Sequence, residues 1–176
     1  MKKCLFIPLC MLFLLPICFF GCERKDTAQS VLNAVCVSET ALPAGGYYLW
    51  SPSDHPSEIS GDSSPFRTMD STLFSALFGN GTLPAEADCI LEGACYFAYT
   101  EPYEISVFLC KSAAEAERVA KLCLRRLDLL RTGYDKRENA DRSFAEHSRI
   151  LRSGRWVLLC VSKEPEETCR AFRRAL

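Results

Sequence analysis

The residues best suited to chemistry in this sequence are its cysteines and histidines, which number 11 and two. No Cys-x-x-Cys pair occurs, and the cysteines are too scattered for the four closely spaced ligands of a structural zinc site. A thiol nucleophile needs a neighbouring base, and neither His55 nor His147 lies close to a cysteine in the sequence. The pattern therefore predicts no catalytic residue, no metal site and no cofactor.

The acidic residues and the common catalytic motifs do not change this prediction. Glu101 and Glu104 flank a predicted hairpin turn, but neither belongs to the paired arrangement that general acid–base catalysis requires. The chain also lacks Gly-x-Gly-x-x-Gly, the phosphate-binding loop and Gly-x-Ser-x-Gly. An envelope enzyme or a redox sensor that assembles a site around a cysteine by folding stays open as an alternative.

The N-terminus combines two lysines, an apolar run and a glycine–cysteine pair. The run at 4–20 is uncharged and holds two prolines, and it is shorter than the roughly 20 residues of a spanning helix. It ends at Gly21-Cys22, which resembles the lipobox of bacterial lipoproteins, where the cysteine receives a diacylglycerol and the chain is cut before it. We predict a signal peptide at 1–21, then lipidated Cys22 and a tether at 22–27, on the extracytoplasmic face of the bacterial cell membrane. An uncleaved membrane anchor is the alternative.

Length and charge limit the remaining chain to one ordinary domain. The sequence has 176 residues, of which 48% are hydrophobic and 24% charged, as in globular proteins. Its net charge is −1, and removal of residues 1–21, with their two lysines and no acid, changes it to −3. A mildly acidic domain has no electrostatic attraction for phosphate backbones, so we expect no nucleic acid partner.

Seven cysteines remain when the signal peptide and Cys22 are set aside, and we call them the domain cysteines. Because seven is odd, at least one stays unpaired even if the others form disulfides. Most are expected to act as small core residues, whereas Cys110 and Cys160 are predicted on neighbouring strands and form the candidate disulfide. The domain cysteines are Cys36, Cys89, Cys95, Cys110, Cys123, Cys160 and Cys169.

A segment rich in proline, glycine and serine spans 41–68 and is predicted as a loop without a long regular element. It contains Tyr47, Tyr48 and Trp50, which make it too apolar for a free linker. One interpretation is an extended segment held against the domain by these side chains. The other is an exposed aromatic patch that binds a partner or the lipid interface.

Hydrophobic periodicity predicts regular elements on both sides of this loop. Two helices, at 28–36 and 71–78, precede the order ββαββα. That order consists of strands at 88–99 and 104–111, a helix at 112–131, strands at 146–152 and 155–162, and a final helix from Pro165. It indicates a single α+β domain, 28–176, around a four-stranded, mostly antiparallel sheet with helices packed on one or both faces.

The packing of these elements can also be predicted. The strands at 104–111 and 155–162 are apolar on both faces, which indicates central positions in the sheet. Ile105 and Val107 are expected to face the long helix, and the two N-terminal helices are expected to cover the opposite face. Gly79 is expected to end the second helix in the left-handed conformation that glycine tolerates.

Three stretches of the C-terminal region resemble a known group of proteins. They are residues 102–108 (PYEISVF), 112–117 (SAAEAE) and 154–159 (GRWVLL). Together with the N-terminal signal, they resemble a family of small lipoproteins of Gram-positive, clostridia-like bacteria (Bacillota), defined by a domain of unknown function. The resemblance spans 70–176 and implies a lipid anchor and an α+β domain. It implies no catalytic residue, because the family has no assigned activity.

These observations favour a membrane-anchored, extracytoplasmic lipoprotein of the cell envelope that acts as a non-enzymatic binding or assembly module. Its predicted contacts are membrane lipid, through acylated Cys22, and an envelope protein or a small ligand. The expectation depends on Cys22, because the signal and its glycine–cysteine pair are the most specific functional marks in the chain.

Overall fold

A six-stranded mixed sheet organises the described part of the chain. The structure, a computed structural model, describes residues 26–39, 41–52, 64–134 and 143–176. Its strands are β1 (Gly45–Trp50), β2 (Phe66–Met69), β3 (Ile90–Ala98), β4 (Glu104–Cys110), β5 (Arg149–Ser153) and β6 (Trp156–Val161). Its helices are α1 (Ala28–Val37), α2 (Ser71–Phe78), α3 (Ala113–Tyr134), α4 (Ser143–Glu146) and α5 (Pro165–Ala175), and a 3-10 turn covers Ala85–Cys89.

The strands lie in the order β2-β1-β3-β4-β6-β5. β1 and β2 are parallel, and the other neighbouring pairs are antiparallel. The predicted α+β class is confirmed, but the expected sheet of four strands is too small. The two additional strands arise from the segment predicted as a loop, because its run Tyr47-Tyr48-Leu49-Trp50 has the aromatic composition of a strand. The surrounding prolines and glycines conceal this signal.

The two faces of the sheet carry different helices. On the first face, α1 and α5 pack against each other, α1 covers β3 and β4, and α5 covers β6. On the second face, α3 covers β4, β5 and β6. There α2 contributes Phe74 and Phe78, whose rings contact Trp50 of β1 and Phe108 of β4. The two N-terminal helices therefore cover opposite faces, contrary to the expectation that they would share one.

The prediction that Ile105 and Val107 of β4 face the long helix is also wrong. Ile105 lies opposite Cys160 on β6, and Cys160 is close enough to Thr168 of α5 for a hydrogen bond, so Ile105 faces α1 and α5. The alternate residue Glu104 pairs with Arg126 of α3. Every residue of β4 is buried, so the apolar pattern of the strand alone gave no basis for choosing the face that receives the long helix.

A buried ion pair holds α3 on the second face. The carboxylate of Glu104, which is 1% exposed, accepts hydrogen bonds from Nε of Arg126 at 2.9 Å and from Oγ of Ser106 at 2.8 Å. The guanidinium group of Arg126 also donates to the carbonyl oxygen of Leu77 at 3.2 Å. Because its carboxylate is enclosed by these partners, Glu104 has a structural role rather than that of an accessible acid or base.

Polar side chains determine where three of the helices begin. Thr27, Asp70 and Ser112 accept hydrogen bonds from backbone amides three residues later, at 3.1, 2.7 and 3.2 Å. Each bond satisfies an amide that has no partner within its helix, a contribution of about 1 kcal/mol. These caps explain why α1, α2 and α3 begin within a residue of their predicted positions.

Gly79 follows α2 as expected, but its φ of −117° is not left-handed. Asn80 and Gly81 instead have positive φ angles of 52° and 89°. Only glycine fits at position 79, because a Cβ atom there would lie 1.7 Å from the carbonyl oxygen of Thr82. The turn after α2 is therefore tight at Gly79 and left-handed in the next two residues.

Candidate binding cleft

A cleft of about 270 Å³ lies beside the C-terminal end of α1, and we call it the Tyr103 cleft. Four parts of the chain form its walls: the segment after α1, the turn before β4, α4, and the connection from β6 to α5. The residues that matter for its chemistry are Glu39, Leu42, Pro43, Glu101, Tyr103, Phe144, Lys163 and Glu164.

Two buried aromatic rings contribute to the walls. Tyr103 is 3% exposed and Phe144 is 2% exposed, and their ring centroids lie 6.1 Å apart at an interplanar angle of 76°. Tyr103 also contacts the ring of Tyr96 edge-on, with centroids 6.1 Å apart. Edge-to-face contacts of this kind are favourable, and together they hold the Tyr103 ring in one position.

The Tyr103 hydroxyl group is buried near the Glu39 carboxylate, but no residue that the structure describes lies in regular hydrogen-bonding geometry to it. Burial raises the pKa of Tyr103, and the nearby Glu39 carboxylate raises it further, so the hydroxyl group stays protonated and neutral. Tyr96 is equally buried, yet its hydroxyl group donates to the carbonyl oxygen of Pro43. Because buried polar groups are nearly always paired, an unpaired hydroxyl in a cleft wall marks a place for an external hydrogen-bonding partner.

Glu39 is positioned by two helices. Its backbone amide donates to the carbonyl oxygen of Cys36 at 3.2 Å, which continues the last turn of α1. Its carboxylate accepts a hydrogen bond from Oγ1 of Thr168 on α5. Thr168 is itself buried, and its hydroxyl oxygen lies 3.2 Å from that of Ser162. The carboxylate of Glu39 is thereby anchored at the wall of the cleft.

Charged groups complete the lining. The ammonium group of exposed Lys163 lies 5.2 Å from the centroid of the Phe144 ring, a distance typical of a cation–π contact. Glu101 and Glu164 also line the cleft. Together with Glu39, they give the lining three carboxylates, against the single ammonium group of Lys163.

A larger cleft of about 430 Å³ lies between the end of α2 and α3, and we call it the α2–α3 cleft. Its charged residues are paired: Arg125 with Glu86 at 2.9 Å, and Asp128 with Arg131 at 3.6 Å. Partial burial favours a higher pKa for Glu86, but hydrogen bonds from its own amide and from Arg125 lower the pKa below the ordinary value. Among the described residues, no buried polar atom without a partner lines this cleft, so it is the weaker candidate.

The aromatic residues of β1 do not form one surface patch. Tyr47 packs against Phe66 and Tyr96 on the first face of the sheet. Tyr48 and Trp50 lie on the second face, where Tyr48 contacts Phe97 and Trp50 contacts Phe74. Trp50 is 5% exposed; its Nε1 also has no partner among the described residues, but it lines neither cleft. The structure thus places these rings as the first interpretation expects, in an extended segment held against the domain.

The domain cysteines are all buried free thiols. Burial raises the pKa of the Cys36, Cys110 and Cys160 thiols to about 12, and it raises the pKa of the other four as well. Because the thiolate is the reactive form of cysteine, these side chains are poor nucleophiles at neutral pH. Their surroundings are those of core residues.

The structure does not bring the candidate disulfide pair together. The strand register places Cys160 opposite Ile105, which is five positions from Cys110 along β4, or roughly 17 Å at about 3.3 Å per residue. Since side chains alternate along a strand, Cys110 and Ile105 also point to opposite faces of the sheet. A disulfide requires Cα atoms within about 7 Å, so this fold cannot join Cys110 to Cys160.

The acids and histidines considered for chemistry are dispersed. Glu101 lines the Tyr103 cleft, whereas Glu104 faces α3 on the opposite side of the sheet. His147 occupies an exposed turn between α4 and β5, and His55 lies outside the described residues. In the described ranges, no group of three or more histidines, cysteines or acids is placed to hold a metal ion.

The predicted signal peptide at 1–21 and Cys22 also lie outside the described residues. Lipidation at Cys22 and the boundaries of the tether therefore stay predictions. Of the helices that the structure describes, none has the length and apolar character needed to cross a bilayer.

Sequence reasoning missed Glu39, Tyr103 and Phe144 as site residues. Tyr103 belongs to the predicted turn before β4, and no local pattern indicates that the end of α1 and α4 meet beside it. Comparisons with protein families, curated proteins and solved structures gave no match to this chain.

Proposed function

We propose that this chain is a bacterial lipoprotein, held on the extracytoplasmic face of the membrane by acylated Cys22, whose domain binds a small ligand in the Tyr103 cleft without catalysing a reaction. The observation that carries the binding role is the buried, unpaired hydroxyl group of Tyr103. Leaving such a group without a partner costs about 1–3 kcal/mol. A ligand that hydrogen-bonds to Tyr103 removes this cost, and the recovered free energy favours binding.

The position of the cleft suits a tethered receptor. The predicted tether ends at Thr27, which caps the first turn of α1, whereas the cleft adjoins Glu39 beyond the last turn. The ten residues of α1 separate the two by about 15 Å. The lipid anchor and the ligand are therefore expected at opposite ends of one helix, where neither obstructs the other.

A non-enzymatic role is supported by the chemistry of the thiols. The alternative, an envelope enzyme or redox sensor, needs a cysteine that ionises readily and is accessible. Burial raises the pKa of each domain cysteine, which works against both requirements. The resemblance to small Gram-positive lipoproteins agrees with an anchored module, and two or more acyl chains suffice for stable attachment.

The anchor is tested by growing producing cells with an alkyne-tagged fatty acid and detecting the tag on the purified protein. We expect the label on the wild type, its loss in Cys22→Ala, and its retention in the control Cys18→Ala, since Cys18 is predicted to leave with the signal peptide. Mass spectrometry should find a chain that begins at an acylated Cys22. An intact Met1 or an unmodified Cys22 thiol in native membranes contradicts the proposal.

The binding role is tested by native mass spectrometry of the protein extracted from its own membranes with mild detergent. We expect a bound mass that is released on denaturation, and its loss in Ala41→Trp, which places a large ring in the Tyr103 cleft. The control Leu83→Trp alters the α2–α3 cleft and should retain the bound mass. If no growth phase yields a bound molecule, the binding role is wrong.

A further inference from the structure

We propose that the ligand of the Tyr103 cleft is an organic cation, a primary ammonium or guanidinium group carried on a small apolar body. This inference rests on the proposed binding function and specifies its ligand. It is drawn from the charges of the lining, the end of α1 that the lining adjoins, and the unpaired hydroxyl group of Tyr103.

The lining is electrically negative. Glu39 and Glu164 contribute two carboxylates, and Lys163 contributes one ammonium group. Glu101 adds a third carboxylate, which interacts with another group of the chain. Even without Glu101, the carboxylates of the lining outnumber its ammonium groups. A negative lining favours a cationic ligand and opposes an anionic one.

The end of α1 adds to this negative potential. The C-terminus of a helix carries a partial negative charge from its unsatisfied carbonyl groups, and a cation placed there is stabilised. The last turn of α1 contains no basic residue, and Glu39 lies two residues beyond its end at Val37. An acid at this helix end is unfavourable by itself, whereas an acid together with a bound cation is favourable.

Tyr103 supplies the hydrogen bond that makes the position specific. Its hydroxyl group is buried near the Glu39 carboxylate, but it has no hydrogen bond of regular geometry with a described residue. An ammonium group seated against Glu39 has three N–H donors, so it can donate to the carboxylate and to the Tyr103 oxygen together. The Tyr103 oxygen would then accept from the ligand while its own O–H turns toward the Glu39 carboxylate, and the ligand would offset the negative charge of the lining.

Apolar groups define the rest of the ligand. Leu42, Pro43 and Phe144 line the cleft, and the Phe144 ring already accepts the ammonium group of Lys163 at 5.2 Å. The volume of about 270 Å³ is just below the roughly 300 Å³ at which ligand pockets begin. A short alkylamine, or the amine of a somewhat larger molecule, fits this space.

The experiment compares three probes of equal length and different charge, n-butylammonium, n-butanol and butanoate, by calorimetric titration of the full, acylated protein in uncharged detergent. We expect butylammonium to bind at least tenfold more tightly than butanol, and butanoate not to bind. Glu39→Gln and Tyr103→Phe should each weaken butylammonium binding about tenfold. Glu86→Gln, which alters the α2–α3 cleft, should leave it unchanged.

Glu164→Gln guards against a loss of binding that merely reflects unfolding. Glu164 is exposed, so its substitution should weaken butylammonium binding several-fold without lowering the unfolding temperature. Equal binding of the three probes, or tighter binding of butanoate, overturns the cation assignment. A neutral or anionic molecule that copurifies in the cleft also overturns the cation assignment, but it leaves the proposed binding function intact. Loss of both the copurifying molecule and probe binding removes the proposed function itself.

Discussion

Replacement of Tyr103 by phenylalanine is the sharpest test of the cleft, because it removes one oxygen atom and retains the ring. The contacts of that ring with Tyr96 and Phe144 do not depend on the hydroxyl group. In the ligand-free protein this group is buried and unpaired, so the wild type carries a desolvation cost of about 1–3 kcal/mol that phenylalanine avoids. Taking the lower limit, we expect Tyr103→Phe to be more stable by about 1 kcal/mol, which raises the unfolding temperature by about 2–4 °C.

Tyr96→Phe provides the matched control. Both residues are 3% exposed, and their rings are in contact. The Tyr96 hydroxyl group, however, donates to the carbonyl oxygen of Pro43, so its removal breaks a hydrogen bond. We expect a loss of about 0.5–1.5 kcal/mol. The same chemical change thus alters stability in opposite directions at two neighbouring positions.

The assay is urea unfolding followed by circular dichroism, with protein first unfolded and refolded to remove any bound ligand. The dependence of the free energy of unfolding on urea should stay the same in both variants, because the surface exposed on unfolding does not change. With saturating ligand, the advantage of Tyr103→Phe should shrink or reverse, since only the wild type gains the additional hydrogen bond. If Tyr103→Phe instead loses as much stability as Tyr96→Phe, the hydroxyl group of Tyr103 has a partner within the chain and the reasoning fails.

Three further predictions concern the buried ion pair, the thiols and the α2–α3 cleft. Arg126→Met leaves the Glu104 carboxylate, 1% exposed, without its cation, and should cost about 3–5 kcal/mol in urea unfolding. The double variant with Glu104→Gln should recover most of this loss, and failure to recover would show that the pair is not coupled. The domain cysteines should react with a thiol reagent at pH 8 only after unfolding, because burial raises the pKa of every one of them; rapid labelling of the native protein would refute this. The pKa of Glu86 is lowered in the fold, so its contribution is present at pH 7 and is lost as the pH falls through that lowered pKa. Glu86→Gln should accordingly be less stable than the wild type at pH 7, by a difference that shrinks as the solution is acidified, and a difference that grows in acid would contradict the sign.

The elements of the C-terminal half were predictable because their signals are local. The stripe Ala116, Val119, Cys123, Leu127 recurs at spacings of three and four and is buried along α3, and the cap at Ser112 marks its start. The strands β3, β4 and β6 each end within two residues of their predicted limits. Side-chain period and capping chemistry act over a single turn or strand, so a short stretch of sequence contains them.

The sheet of six strands was harder to predict because its additional pairing is not local. β1 pairs with β2 in parallel and with β3 in antiparallel orientation, and the partners of Tyr47 on those strands are Phe66 and Tyr96. Nothing near Tyr47 in the sequence specifies either partner. The choice of face for α3 has the same origin, because β4 is buried on both sides and the Glu104–Arg126 pair joins residues far apart in the chain.

The sequence by itself determined the α+β class, the caps and the amphipathic stripe of α3, and it supplies the glycine–cysteine pair at Gly21-Cys22 on which the predicted anchor depends. Only the tertiary structure decided which cysteines are neighbours, which face receives each helix, and that Glu39, Tyr103, Phe144 surround one cleft. The physical reason is the range of the interactions: caps and periodicity join residues a few positions apart. The cleft instead depends on packing that brings the end of α1 to a turn and a helix far along the chain. That packing also separates the Tyr103 hydroxyl group from water.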